Sequence, residues 1–108
     1  MANIDLSRKA LTDRVTGGDG KASIEQRKAA FAGAGPEGAT ALIDKVTKHA
    51  YRVTDEDITA AKAAGFSEDQ IFELVACAAI GQANRQLENA LAALDEATKG
   101  ESDAARSA

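Results

Sequence analysis

The side chains best suited to chemistry in this 108-residue chain are Glu73, Cys77, His49, Tyr51 and Arg85. Glu73 precedes Cys77 by one helical turn, within the most apolar stretch of the sequence, Ile71 to Ala83. A carboxylate in such a stretch must be paired, be protonated or line a cavity. It therefore reads either as a general base or as the partner of a basic residue from the first half of the chain. Cys77 offers a nucleophile, but its neighbours Val75, Ala76, Ala78 and Ala79 are apolar. Desolvation there keeps a thiol protonated, so core filling is the competing role. His49, the single histidine, stands beside Tyr51 and Arg52, which leaves a proton-transfer role open. With only Cys77 and carboxylates to join one histidine, a metal site is not expected, and no cofactor is implied. Arg85, flanked by Gln82, Asn84 and Gln86, suits an anionic ligand, a neighbouring subunit or a solvated face.

Helices must position these groups. Alanine accounts for 25 residues, whereas Leu, Ile, Val and Phe together number only 20. The large apolar side chains are scarce, and the abundant small ones are the best helix formers. The composition implies an all-α fold of close-packed helices, with a core thin enough that a second copy would help to complete it. Amphipathic spacing predicts a first helix over Asp5 to Val15, closed by Gly17-Gly18-Asp19-Gly20. That cluster lacks the G-x-x-x-x-G-K-[ST] order of a phosphate-binding loop and reads as a turn. Ser23 with Gln26 forms a capping box for a short helix through Phe31. A third helix is expected from Pro36 to Tyr51, with Leu42, Ile43, Val46 and Ala50 on one face. Thr54 caps a fourth over Asp55 to Ala64, and Gly65 stops it in a left-handed C′ position. Phe66 and Ile71 flank the Ser67 cap as a hydrophobic staple, opening a long last helix over Glu68 to Thr98. Gly81 within that helix marks a close backbone approach by another helix. Residues 1–98 thus read as one domain, with basic leading helices over 1–35 and a core over 36–98, and residues 99–108 as a disordered tail.

Charge divides unevenly. Residues 1–54 carry nine Lys/Arg and six Asp/Glu, whereas residues 55–108 carry four and eleven. Opposite halves should attract, within a chain or between chains, although acids at helix starts account for much of the second half. The overall charge of −4 gives no basis for nucleic-acid binding. No apolar run is long enough to span a membrane, the opening MANIDLSRKA has no signal-type apolar region, and a lone cysteine fits a reducing compartment, so a cytoplasmic location is expected.

The run from Val53 to Leu94 resembles the carboxymuconolactone decarboxylase and alkyl hydroperoxidase D-like superfamily. A short helix, the alanine-rich turn AAKAAGFS, an acidic cap and the helix ELVACAAIG carry the likeness. The resemblance implies an all-helical subunit, a homo-oligomer, and a small-molecule pocket between helices or subunits. In the family's peroxidases a C-x-x-C-x-x-x-H motif precedes the turn glycine. Counted back from Gly65, its three positions are Ala50, Val53 and Asp57, and the relay glutamate falls near Gly38, one residue from Glu37. Two-cysteine peroxidase chemistry is therefore not expected. The expected function is that of a non-peroxidase member binding or transforming a small molecule by cofactor-free acid–base chemistry through Glu73, His49 and Tyr51, with Arg85 and Cys77 as ligand contacts. The alternative is a non-catalytic helical oligomerisation protein.

Overall fold

The computed structural model describes the backbone of residues 2–107 and the side chains of residues 5–99. Five α-helices follow one another: α1 (Ala2–Gly17), α2 (Ile24–Phe31), α3 (Thr40–His49), α4 (Asp55–Ala63) and α5 (Glu68–Ser107). A 3-10 turn, Ala50–Arg52, joins α3 to α4, and there is no strand among the described residues. The fold is all-α with a long last helix, as the composition implies.

Local chemistry sets most of the boundaries. At α2, Gln26 N–H donates to Ser23 Oγ at 3.1 Å while Ser23 N–H donates to Gln26 Oε1 at 3.2 Å, closing the capping box. Ser67 and Gln70 repeat the exchange at the start of α5. Asp57 reaches back to accept from Thr54 N–H at 2.9 Å, which opens α4. Gly65 closes α4 with φ +106, a left-handed conformation that a side chain would oppose.

Three expected boundaries move. Residues 36–39 form a tight turn, with Ala39 N–H donating to Pro36 O at 2.9 Å and Gly38 at φ +92, so α3 begins at Thr40 and not at Pro36. At its other end the chain tightens into the 3-10 turn, so Ala50 and Tyr51 fall outside α3. Helical backbone in α5 also continues past Thr98 to Ser107. The side chains of residues 100–108, where the tail was expected, lie outside the described residues.

The core gathers around the first half of α5. Leu42, Ile43, Leu74 and Cys77 are its largest fully buried side chains, and Ala30, Ala61 and Ala78 are buried with them. Each fully buried Leu or Ile contributes about 1.5–3 kcal/mol. Packing of α5 is most extensive against α2. At their crossing a Cβ added to Gly81 would overlap the Phe31 carbonyl oxygen and fall 2.7 Å from Phe31 C. The close approach expected of Gly81 is therefore real, and it is made by α2 of the same chain.

The oppositely charged halves also meet within the chain. Lys45 Nζ bonds both carboxylate oxygens of Asp57 at 2.9 Å, and Arg8 Nη2 donates to Asn84 at 2.7 Å and Glu88 at 3.1 Å. Beyond this bundle α5 continues alone. Its 40 residues span about 60 Å at 1.5 Å per residue. The molecule measures 65 × 28 × 17 Å with a radius of gyration of 17.8 Å, against about 13 Å for a compact chain of this length. From residue 86 to 99 only Leu91 is even half-buried. No helix among the described residues is long and apolar enough to cross a membrane.

Candidate functional site

The loop between α1 and α2 is held by Glu73. Its Oε1 accepts from Lys21 N–H at 2.7 Å, and its Oε2 accepts from Lys21 N–H at 2.9 Å and Ala22 N–H at 2.7 Å. Three of the roughly four acceptor positions of a carboxylate are thereby occupied. The backbone just after the glycine turn thus holds an anion, and that anion is the protein's own side chain from α5. Gly20 leaves room for this contact: a Cβ there would sit 2.5 Å from Glu73 Oε1 and 3.3 Å from Arg27 Cζ, so the Glu73 carboxylate would have to shift. Among the described residues neither a lysine nor an arginine side chain pairs with Glu73, so backbone amides stand where one reading of the sequence expected a basic residue of the first half.

Arg27 stands on the face of α2 that faces α1 and α5. It is 4 % exposed. Its Nη1 donates to the Val15 carbonyl at 3.4 Å, and its Nε is buried without an acceptor. Val15 lies in the last turn of α1, where unpaired carbonyls and the negative helix end favour a cation. The same carbonyl accepts from Cys77 Sγ at 3.2 Å. Burial pushes the Cys77 thiol pKa upward; nearby Arg27 opposes the shift and Glu73 adds to it. Cys77 is thus a protonated core thiol and not a poised nucleophile.

These groups surround a cavity of about 340 Å³ between α1, α2 and α5. Val15, Ala76 and Phe72 form its apolar wall, and Arg14, Asp19, Arg27, Glu73 and Cys77 complete the lining. Phe72 is 73 % exposed, which places it at the rim.

Of the residues expected at a site, Glu73 and Cys77 share this cavity, and the others lie elsewhere. His49 and Tyr51 are exposed where α3 ends, their rings 5.8 Å apart edge to face, with the Arg52 guanidinium 5.7 Å from the Tyr51 ring centre. Neither lines the cavity. Arg85 closes the C-terminus of α2: its Nη1 donates to Phe31 O at 2.6 Å while Nε and Nη2 hold Gln82 Oε1. It acts there as a cap on α2.

Arg27 escaped the sequence reading. Its signal was helical spacing, because Ala30 and Phe31 follow it at i+3 and i+4 and draw it onto the packed face. The arrangement can hold a small molecule against an apolar wall and offer it a guanidinium. Comparison of the chain with protein-family models, with curated proteins and with solved structures found no match.

Proposed function

We propose that this chain is a non-peroxidase, carboxymuconolactone decarboxylase-like protein that binds a small molecule in the cavity between α1, α2 and α5. The supporting observation is the convergence on one open-mouthed cavity of Glu73, Cys77 and the buried Arg27. Family membership rests on the residues from Val53 to Leu94 and on an all-α fold that ends in a long helix. Binding, without acid–base turnover, is the activity assigned. Glu73 spends its oxygens on Lys21 and Ala22, and His49 and Tyr51 stand apart from the cavity.

A fragment screen followed by amide resonances tests this reading. Binding fragments should shift Val15, Ala76 and Cys77, and Ala76→Trp, which fills the space, should abolish those shifts. A folded protein in which no fragment perturbs these residues would remove the proposal.

The projecting half of α5 favours a second role, assembly with copies of the same chain. Ile80, Leu87 and Leu94 recur every seven residues, as do Ala83, Ala90 and Ala97. Such a seam suits a closely approaching partner helix. Leu87 is 38 % and Leu94 57 % exposed, apolar surface that a partner helix would remove from water. Light scattering of the full chain should give a mass above that of one chain, and Leu87→Glu with Leu94→Glu should return it to one. A monomeric wild type at its highest soluble concentration refutes assembly.

A further inference from the structure

Resting on the cavity reading above, we infer that the ligand is a monocarboxylate with a compact apolar body, its carboxylate facing Arg27 and its body against Val15, Phe72 and Ala76. The guanidinium carries the inference. Arginine keeps its charge at every pH a protein meets, and a buried charge requires a counter-charge or a full set of acceptors. Arg27 has neither: it makes no ion pair among the described residues, its Nε is unpartnered, and its one acceptor is the Val15 carbonyl at 3.4 Å. Gly20 brings Glu73 near, but that carboxylate is already turned to the amides of Lys21 and Ala22. A planar carboxylate matches the donor fork of a guanidinium better than other small anions of the same charge.

The rest of the lining sets the charge and shape. Arg14 supplies a second guanidinium at the exposed side, while Asp19 and Glu73 line the same space. Two guanidiniums and two carboxylates leave the lining formally neutral, so anion binding rests on the placement of the ligand's charge beside Arg27. Val15, Phe72 and Ala76 form the apolar part of the wall, and about 340 Å³ lies at the small end of ligand sites, so the body is short and apolar. The ligand is held without a covalent bond, because the Cys77 thiol is committed to Val15 O.

Calorimetric titration of the full chain with benzoate, hexanoate, benzyl alcohol and inorganic phosphate tests this. Benzoate or hexanoate should bind, with the alcohol and phosphate at least about tenfold weaker. Arg27→Gln should cost benzoate about tenfold or more. Arg14→Gln, an exposed change that spares the fold, should weaken it by up to about fivefold. Equal affinity for benzyl alcohol overturns the charge requirement and leaves the cavity reading intact. Tighter phosphate binding overturns the monoanion assignment. Unchanged benzoate affinity in Arg27→Gln overturns the role of the guanidinium; should that variant fail to fold, unchanged affinity in Arg27→Lys, which keeps the charge and loses the planar donor fork, overturns it instead. Binding of none of the four, combined with a fragment screen that gives hits in the cavity, overturns this inference alone. An empty screen as well removes both readings.

Discussion

Gly81→Ala should destabilise the protein, although the same change in an unobstructed helix stabilises it. Replacing a mid-helix glycine by alanine gains about 1 kcal/mol of helix propensity. The added carbon, however, would overlap Phe31 O and lie 2.7 Å from Phe31 C and 3.0 Å from Phe31 Cα. These are backbone atoms at the end of α2, so no side chain can swing away. Relief requires α2 and α5 to separate. Overpacking of this kind costs about 1–3 kcal/mol. Separation also stretches the 2.6 Å bond from Arg85 to Phe31 O, a charged hydrogen bond of about 1.5–3 kcal/mol. The net expectation is a loss of about 2–4 kcal/mol, a fall of roughly 10 °C or more in Tm for a domain of this size. Urea and thermal unfolding followed by far-ultraviolet circular dichroism measure it. Gly17→Ala is the internal control: nothing lies within 4 Å of its added carbon, so it should be neutral or stabilising by up to about 1 kcal/mol. A Gly81→Ala variant as stable as the wild type would refute the claim that α2 and α5 meet backbone to backbone at this glycine.

Glu73→Gln places an amide NH₂ against the Lys21 and Ala22 N–H groups and should lose about 1–2 kcal/mol, with faster amide exchange at residues 21 and 22; unchanged exchange there would count against the loop anchor. The Asp57 carboxyl is held below the usual carboxylate range, first by its hydrogen bond from Lys45 and then by the Thr54 N–H. Its stabilisation is therefore full above the ordinary carboxylate pKa near 4 and is lost as pH falls through the lower folded value. Asp57→Asn should weaken the protein at neutral pH and flatten the acid side of its stability profile, and parallel acid profiles for the two proteins would contradict the pairing. Cys77 is 1 % exposed with a raised thiol pKa, so a thiol reagent should label it only as the protein unfolds. Rapid labelling of the native protein would show otherwise.

Helix starts were legible because their signals are local. Ser23 with Gln26, Thr54 with Asp57 and Ser67 with Gln70 fix their caps within four residues, and each is seen in hydrogen bonds. Gly81 announced a close contact, yet only the folded chain shows that Phe31 of α2 supplies it, since a glycine records that something approaches and not what. Pro36 misled for the opposite reason: it permits a helix start, but Gly38 in the left-handed region turns the chain first. At the site, the apolar surroundings of Glu73 called for a partner or a cavity, and Glu73 has backbone partners and lines the cavity. Its partners could not be read, because they are backbone amides of Lys21 and Ala22, and the direction of an N–H leaves no trace in residue type. His49, Tyr51 and Arg52 were drawn together by adjacency in sequence, and they remain together in space, away from the cavity.

The continuous helix α5 passes through two very different surroundings. From Ile71 to Gly81 it is clasped by the other helices, whereas residues 92–99 meet only solvent. A segment of that length, unsupported, is only marginally helical in water. Amide exchange should therefore quicken steadily along a single unbroken helix, from near-global protection around Leu74 to almost none beyond Leu91. Whatever grips the outer half would extend that protection without moving a core side chain. The last helix can thus register an encounter as added rigidity at one end while the cavity at its other end keeps its shape.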